Sequence, residues 1–361
     1  MISADLNCIH GCLAGGAIGD SLGLPYEGLS ANGGIRLLGP PIPNKLIWGY
    51  GLVSDDTEHA CLTAISLTKS HFNPDLFGSQ LASCLKLWFL CLPPATGIAT
   101  AKACLKLILG VNHKLSGVFS AGNGPAMRAA VIGCSVEDQI LIKSLIGVST
   151  AITHRDQRSN DGALLIALAA NWCRYSQGLN PESFFHFVED NLAVPSDKIF
   201  AEKYTILRES LQSGEKTKDF ADTIGMSNGV SGFIIPTTLI ALHAWLSNLE
   251  SFTDVITTCI FCGGDTDTVA AIAGALSGAY LGYQRLPTHL GERIIDYPFS
   301  YSRLADLATR LGSPDPSHSR PDWIGYRWII LPIRNMVFVA IILLHAARRL
   351  ATLSPTKEDL K

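Results

Sequence analysis

Two segments far apart in the chain carry small residues at every fourth position: Gly11, Gly15 and Gly19 near its start, and Ala270, Gly274, Gly278 and Gly282 further on. Residues four apart on a helix form one ridge, and a ridge without side chains lets two backbones approach unusually closely. Glycine inside an exposed helix costs about 1 kcal/mol relative to alanine, so such a ladder needs a compensating contact. The spacing therefore predicts two helices packed on each other in the core.

Elsewhere apolar residues recur at three and four rather than alternating, and clear period-two strands are hard to find, so the fold class is all-α. Helices are expected over roughly 5–22, 56–70, 74–91, 98–110, 123–133, 136–152, 159–177, 181–191, 198–213, 235–248, 251–262, 267–283, 288–310 and 333–350. With 47% hydrophobic and 16% charged residues and a mean hydropathy of +0.25, many of these must be buried on most faces. The net charge is −3, and no basic run with interleaved aromatics is present, which argues against direct nucleic-acid binding.

The ten cysteines show no disulfide-framework spacing, and several, such as Cys61, Cys84 and Cys104, sit at apolar helical positions. A reducing compartment fits that usage. The single CxxC pair, Cys259 and Cys262, lacks the second pair or histidines that a structural zinc site would need. No basic region followed by an apolar stretch and a cleavage site begins the chain, so a cytoplasmic location is expected.

Residues 312–322 read as a turn-rich linker between a domain over 1–311 and a C-terminal apolar helical tail over 323–361. Within the tail, Met336 to Leu344 is apolar on every side, flanked by Arg334, His345, Arg348 and Arg349. That run is shorter than the roughly 20 residues that span a bilayer. We read it as a helix docked on its own domain or a partner, in preference to membrane-surface contact.

Two acidic clusters carry the chemistry: Ser54-Asp55-Asp56-Thr57 and Asp265-Thr266-Asp267-Thr268, each where a loop enters an apolar helix. A helix cap explains one acid in each cluster, because acids and hydroxyls are favoured at N-termini. It does not explain the second, since adjacent like charges repel unless a cation neutralises them. Carboxylates with the Ser54 and Thr268 hydroxyls suit a hard divalent ion, and four carboxylates have a natural capacity for two. Gly263 and Gly264 would let the backbone turn sharply to aim Asp265 and Asp267.

Three further segments offer ligand contacts. Gly122-Asn123-Gly124 precedes a helix and could face a phosphate with its amides, although it is also an ordinary turn. His154 stands at a helix end, where a capping histidine is the plain alternative. Ser231-Gly232-Phe233 supplies small residues and an aromatic ring suited to a base or sugar, though such rings are usually core.

Together these residues resemble the ADP-ribosylglycohydrolases, which include the dinitrogenase-reductase-activating glycohydrolases. The resemblance rests on Gly15 to Gly23 with Glu27, Ser54 to Thr57, Gly122 to Gly124 through Arg128, Thr153-His154, and Gly263 to Thr268, and it covers roughly residues 8–285. It implies an orthogonal multi-helix bundle with two Mg²⁺ (or Mn²⁺) ions at the base of an ADP-ribose cleft. By motif match Ser54, Asp55, Asp56, Asp265, Asp267 and Thr268 would hold the ions. Gly122, Asn123, Gly124, His154, Ser231, Gly232 and Phe233 would contact the diphosphate and ribose. Glu27 matches an acid that in some members approaches the metals and moves when substrate enters; Glu27 and Asp56 are the expected catalytic residues. The implied reaction is hydrolysis of the bond between ADP-ribose and an acceptor on a protein, nucleic acid or small molecule. One departure stands out: some members carry an acid where this chain has Ala95, which leaves a catalytically impaired ADP-ribose-binding regulator as the alternative.

Overall fold

A computed structural model describes residues 4–175, 180–191, 195–313 and 330–353. It is all-α, with isolated bridges in place of strands among the described residues. The first helices are α1 (Ala4–Gly23), α2 (Ala31–Leu38), α3 (Asp55–Ser70), α4 (Pro74–Leu90), α5 (Ile98–Ile108) and α6 (His113–Ser116). The middle of the chain forms α7 (Ala129–Ser135), α8 (Gln139–Thr153), α9 (Gln157–Trp172), α10 (Pro181–Asn191), α11 (Lys198–Ser213) and α12 (Thr217–Thr223). It ends with α13 (Ile234–Leu246), α14 (Phe252–Ile260), α15 (Thr266–Leu281), α16 (Thr288–Gly291), α17 (Tyr301–Leu311) and α18 (Leu331–Leu353).

The two small-residue ridges meet, and they run antiparallel. A Cβ on Gly11 would stand 1.9 Å from the Gly278 carbonyl oxygen, one on Gly15 2.3 Å from that of Gly274, and one on Gly19 2.0 Å from that of Ala270. No side chain fits there, so backbone lies on backbone along the whole seam. Gly282 is not part of the ridge: it caps α15 at φ 77°, a left-handed conformation that glycine adopts without penalty. The register sets the C-terminal end of α1 against the N-terminal end of α15, where the Thr266 hydroxyl donates to the Gly23 carbonyl at 2.9 Å.

The expected helix over 288–310 is two short ones. Between α16 and α17 the chain turns to pair Ile295 N–H with Gly51 O and Gly51 N–H with Arg293 O, each at 3.0 Å, and Pro298 has no N–H to carry a helix onward. The expected helix over 123–133 starts late, as a 3-10 turn at Ala126–Arg128 leading into α7. Helices α2, α6 and α12 escaped sequence reading because they are short, and α2 contains Gly33 and Gly34, poor helix formers.

The tail helix docks on its own domain. Phe338 joins Leu24, Leu46 and Leu52 in a small second core; Asn335 donates to Cys91 O at 2.8 Å and His345 Nε2 to Pro25 O at 3.0 Å. Arg334 is its anchor: it pairs with Glu58 at 3.1 Å, grips Asp296 with two nitrogens at 2.9 and 2.5 Å, and donates to Val53 O at 2.8 Å. By length and composition alone, Leu331–Arg349 also suffices to cross a bilayer, and 22% of that window is buried. Most of the linker expected over 312–322 lies outside the described residues.

Gly15→Ala is expected to destabilise the protein by about 3 kcal/mol, since its methyl would overlap backbone that cannot rotate away. Gly147→Ala in α8, whose added methyl meets nothing within 4 Å, should be neutral or stabilising by up to about 1 kcal/mol. Urea unfolding midpoints of the two variants check the contrast.

Candidate metal centre

The seam between α1 and α15 ends at the acids. Asp20, on α1 one residue past the last ladder glycine, is fully buried. Its carboxylate accepts from Ser54 N–H at 3.0 Å, Thr57 N–H at 3.1 Å and the Thr57 hydroxyl at 2.5 Å. An acid from one helix thus caps the N-terminus of another, where the α3 dipole favours negative charge. Ser54 adds the local cap, accepting from Asp56 N–H at 3.2 Å.

The second cluster is aimed by glycines, as expected. Gly263 and Gly264 have φ of 72° and 79°, and a Cβ on Gly264 would stand 2.1 Å from Val230 O. The turn leaves Asp265 at the head of α15, where its carboxylate accepts from Asn123 Nδ2 at 2.7 Å. Thr268 bridges the two clusters: its hydroxyl donates to Asp56 Oδ2 at 3.0 Å, which also accepts from Ser54 Oγ at 3.1 Å.

Oxygens of Asp20, Asp56 and Asp267 come within 4.8 Å of one another. Asp56 Oδ1 is buried without a hydrogen-bond partner. Burial pushes Asp20 up to about 7 against its four hydrogen bonds. It also raises Asp55, Asp56 and Asp267 well above the carboxylate range, with further contributions from Glu58, Asp20 and Glu27 respectively. Asp265 is raised by burial and held back by hydrogen bonds from Thr268 and Asn123. Crowded, desolvated carboxylates with an orphaned oxygen and two neighbouring hydroxyls fit a hard cation.

Ser54, Asp55, Asp265, Asp267 and Thr268 line a cleft of about 760 Å³, and the buried Asp56 and Asp20 come within 4.8 Å of Asp267, one of its lining acids. Glu27 stands on the rim, raised first by burial and then by the charge of Asp265, and drawn down by Arg349. Ala95 also lines the cleft, at φ 58°.

The Gly122 turn and His154 form a wall together. Cβ atoms on Gly122 and Gly124 would stand 2.9 and 3.1 Å from the His154 ring, so both glycines are needed for the turn to lie flat on it. The Gly122 N–H points to Ser120 Oγ and that of Asn123 to Gly232 O; these two amides are engaged within the protein. His154 caps α8, as the plain reading had it, through its own N–H to Thr150 O at 2.8 Å. Burial, aided by Arg128, pushes its imidazole down to about 3, so it is neutral. Gly232 lines the cleft; next to it Ser231 is exposed and Phe233 half-buried, with the Arg158 guanidinium 5.4 Å from the Phe233 ring centroid.

Sequence reasoning missed four contributors. Asp20 was within reach, since antiparallel register of the two ladders puts it beside Asp267. Arg128, which ties Gly124 O, Ser149 and Thr153 together from a fully buried position, and the pair Glu58 and Arg334 depend on contacts distant in sequence.

A carboxyl whose folded pKa lies above its unfolded value binds protons more tightly when folded, and that stabilisation is complete below the unfolded pKa and lost as pH rises through the folded one. With Asp20 at about 7, the metal-free protein should lose thermal stability as pH rises from about 4 to about 7, and MgCl₂ or MnCl₂ should restore it at neutral pH. Asp56→Asn should raise the chelator-treated melting temperature at pH 7.5 and remove the response to the ion. Melting curves with chelator and with each ion check all three.

Residues 2–319 match the family model for ADP-ribosylglycohydrolase. An uncharacterized protein of Archaeoglobus fulgidus is 30% identical over 311 residues, covering 83% of this chain and 94% of its own. The ADP-ribosylhydrolase ARH3 of Gallus gallus is 26% identical over 326 residues (77% of this chain, 86% of its own). That of Homo sapiens is 24% identical over 330 residues (78% and 87%). A solved structure described as an ADP-ribosylglycohydrolase-related protein complex superposes with a TM-score of 0.61 at 22% identity, over 85% of this chain and 98% of that one, and supports the fold. With buried acids from α1, α3 and α15 at the base of one cleft and a match over nearly its whole length, this chain belongs to the ADP-ribosylglycohydrolase family of glycosidase-type hydrolases.

Proposed function

We propose that this chain is a Mg²⁺-dependent hydrolase of the glycosidic bond between ADP-ribose and an acceptor. The observation that carries the metal assignment is the orphaned Asp56 Oδ1 among three buried aspartates whose oxygens lie within 4.8 Å. Ser54, Asp55, Asp56, Asp265, Asp267 and Thr268 would hold two ions, and Mn²⁺ suits the same oxygens. When bound, such ions lower the pKa of water from about 16 toward 7 and orient ribose hydroxyls.

The residues around them divide the remaining work. Gly122 and Gly124, flattened on neutral His154, leave room for the diphosphate and ribose along that wall. The carboxylates of Asp55, Asp265 and Asp267, at the cleft floor, offset positive charge that develops on the sugar ring as the bond to the acceptor breaks. Water's hydroxyl joins the ribose carbon and its proton ends on the departing acceptor. Glu27 stands on the rim with its pKa raised, which suits a group that must take up and return a proton near neutral pH. Ala95 has no ionisable group, so this task is left to Glu27 or to one of the acids that hold the ions, and Glu27 is the one outside the cluster. Asp56, buried and met by the Ser54 and Thr268 hydroxyls, serves by holding the centre together.

Asp267→Asn and Asp56→Asn should each abolish Mg²⁺-dependent release of ADP-ribose with the fold retained. Glu27→Gln should lower kcat by about 10²- to 10⁴-fold with little change in affinity for free ADP-ribose. The assay is product release from ADP-ribosylated arginine, serine, DNA and small-molecule conjugates. Full activity in both aspartate variants would contradict the metal assignment, and ADP-ribose binding without turnover on any conjugate would make the protein a binding regulator.

A further inference from the structure

Helix α18 begins after the family match has ended at residue 319, yet it walls the cleft. Arg334, Phe338, Val339, Ile342 and Leu343 all line it, and the spacing of four within 334, 338, 342 and within 339, 343 places them on one helix face. From these observations we infer that α18 forms the acceptor subsite and selects conjugates whose acceptor is neutral and apolar beside the scissile bond. The inference rests on the hydrolase reading above.

The position follows from the anchors. The Gly122 wall is tied to the centre through Asn123 and Asp265. Helix α18 is tied to different groups: Arg334 to Glu58, one turn along α3 from the acids, His345 to Pro25 O, and Arg349 to the Glu27 backbone carbonyl at 3.5 and 3.4 Å. A conjugate with its ADP-ribose along the Gly122 and His154 wall brings the ribose carbon to the acids. The acceptor then extends toward Glu27 and α18.

The chemistry there opposes a cation. Glu58 is engaged by Arg334 and by the Trp88 indole N–H at 2.5 Å, so it offers no carboxylate to a guanidinium. Arg334 also holds Asp296, and Arg349 is held at the Glu27 backbone carbonyl, so α18 brings no open carboxylate to this end of the cleft. Between them Phe338, Val339, Ile342 and Leu343 present hydrocarbon, which rewards an apolar acceptor and would desolvate a charged one.

The test uses the full-length protein with Mg²⁺ and two conjugates: p-nitrophenyl ADP-ribose, with a neutral aryl acceptor, and ADP-ribosyl-arginine. The native protein should favour the aryl conjugate in kcat/KM; because p-nitrophenolate also leaves more readily than a guanidine, the subsite is read from the change in that ratio on substitution, about tenfold for a shaped apolar pocket. Leu343 is 64% and Val339 40% exposed, so changes there spare the core. Leu343→Asp should cut the aryl preference about tenfold, with affinity for free ADP-ribose unchanged, and Val339→Gln should move it the same way by less. Ile333→Asp and Met336→Asp, off the cleft face at 62% and 74% exposed, should leave the preference as it was. Turnover with a preference that neither cleft-face variant moves overturns the inference alone. ADP-ribose binding with no turnover of either conjugate overturns the hydrolase reading and this inference with it.

Discussion

Backbone packed on backbone between α1 and α15 is the contact from which the site follows. Because no side chain separates them, the seam has little freedom to slide: Gly11, Gly15 and Gly19 each meet one particular carbonyl of the opposite helix. That fixed register places Asp20 beside Asp267, and Asp20 in turn receives the Ser54 and Thr57 amides and so sets the start of α3. Three helices are positioned by one seam and one carboxylate. The acids therefore converge through rigid elements rather than through mobile loops, which suits a centre that must hold its oxygens within a few tenths of an ångström.

The same convergence works against stability. Several carboxylates share a dry site, burial raises every one of them, and the Asp56 oxygen without a partner has lost its water for nothing within the protein. Buried acids outside the cluster are treated differently: Asp296 is met by Arg334 and by the Val53 amide, and Glu58, on the cleft wall, by Arg334 and Trp88. The protein supplies counter-charge where an acid only supports the structure and withholds it from the cluster. Such local conflict between folding and electrostatics is expected at a functional site and seldom elsewhere.

Much of this was legible in the sequence, for reasons tied to range. The glycine ladder, Gly282 apart, and the Ser54 cap are signals within a few helix turns, and the structure places both where the spacing puts them. The split of 288–310 into α16 and α17 was hidden because it depends on Gly51, which pairs across the chain with the intervening strand-like turn. Phe233 was read as a ring for a base or sugar, with core as the plain alternative, and the fold leaves it half-buried with the Arg158 guanidinium 5.4 Å from its centroid, a pairing invisible in the sequence. The largest gain from the structure is α18: its apolar run gave no hint of a cleft, because only Arg334, meeting Glu58 and Asp296 from a distant part of the chain, determines where the helix lies.

The acids proposed to hold two ions come from α3 and α15, with Asp20 of α1 fixing their approach. Calorimetric titration of the metal-free protein with MnCl₂ at pH 7, repeated in two buffers of different ionisation enthalpy, tests that proposal directly. A two-ion centre saturates at two ions per chain with net release of protons, because carboxyl groups raised by burial must ionise to bind. Absence of saturable binding, or binding without proton release, would contradict it.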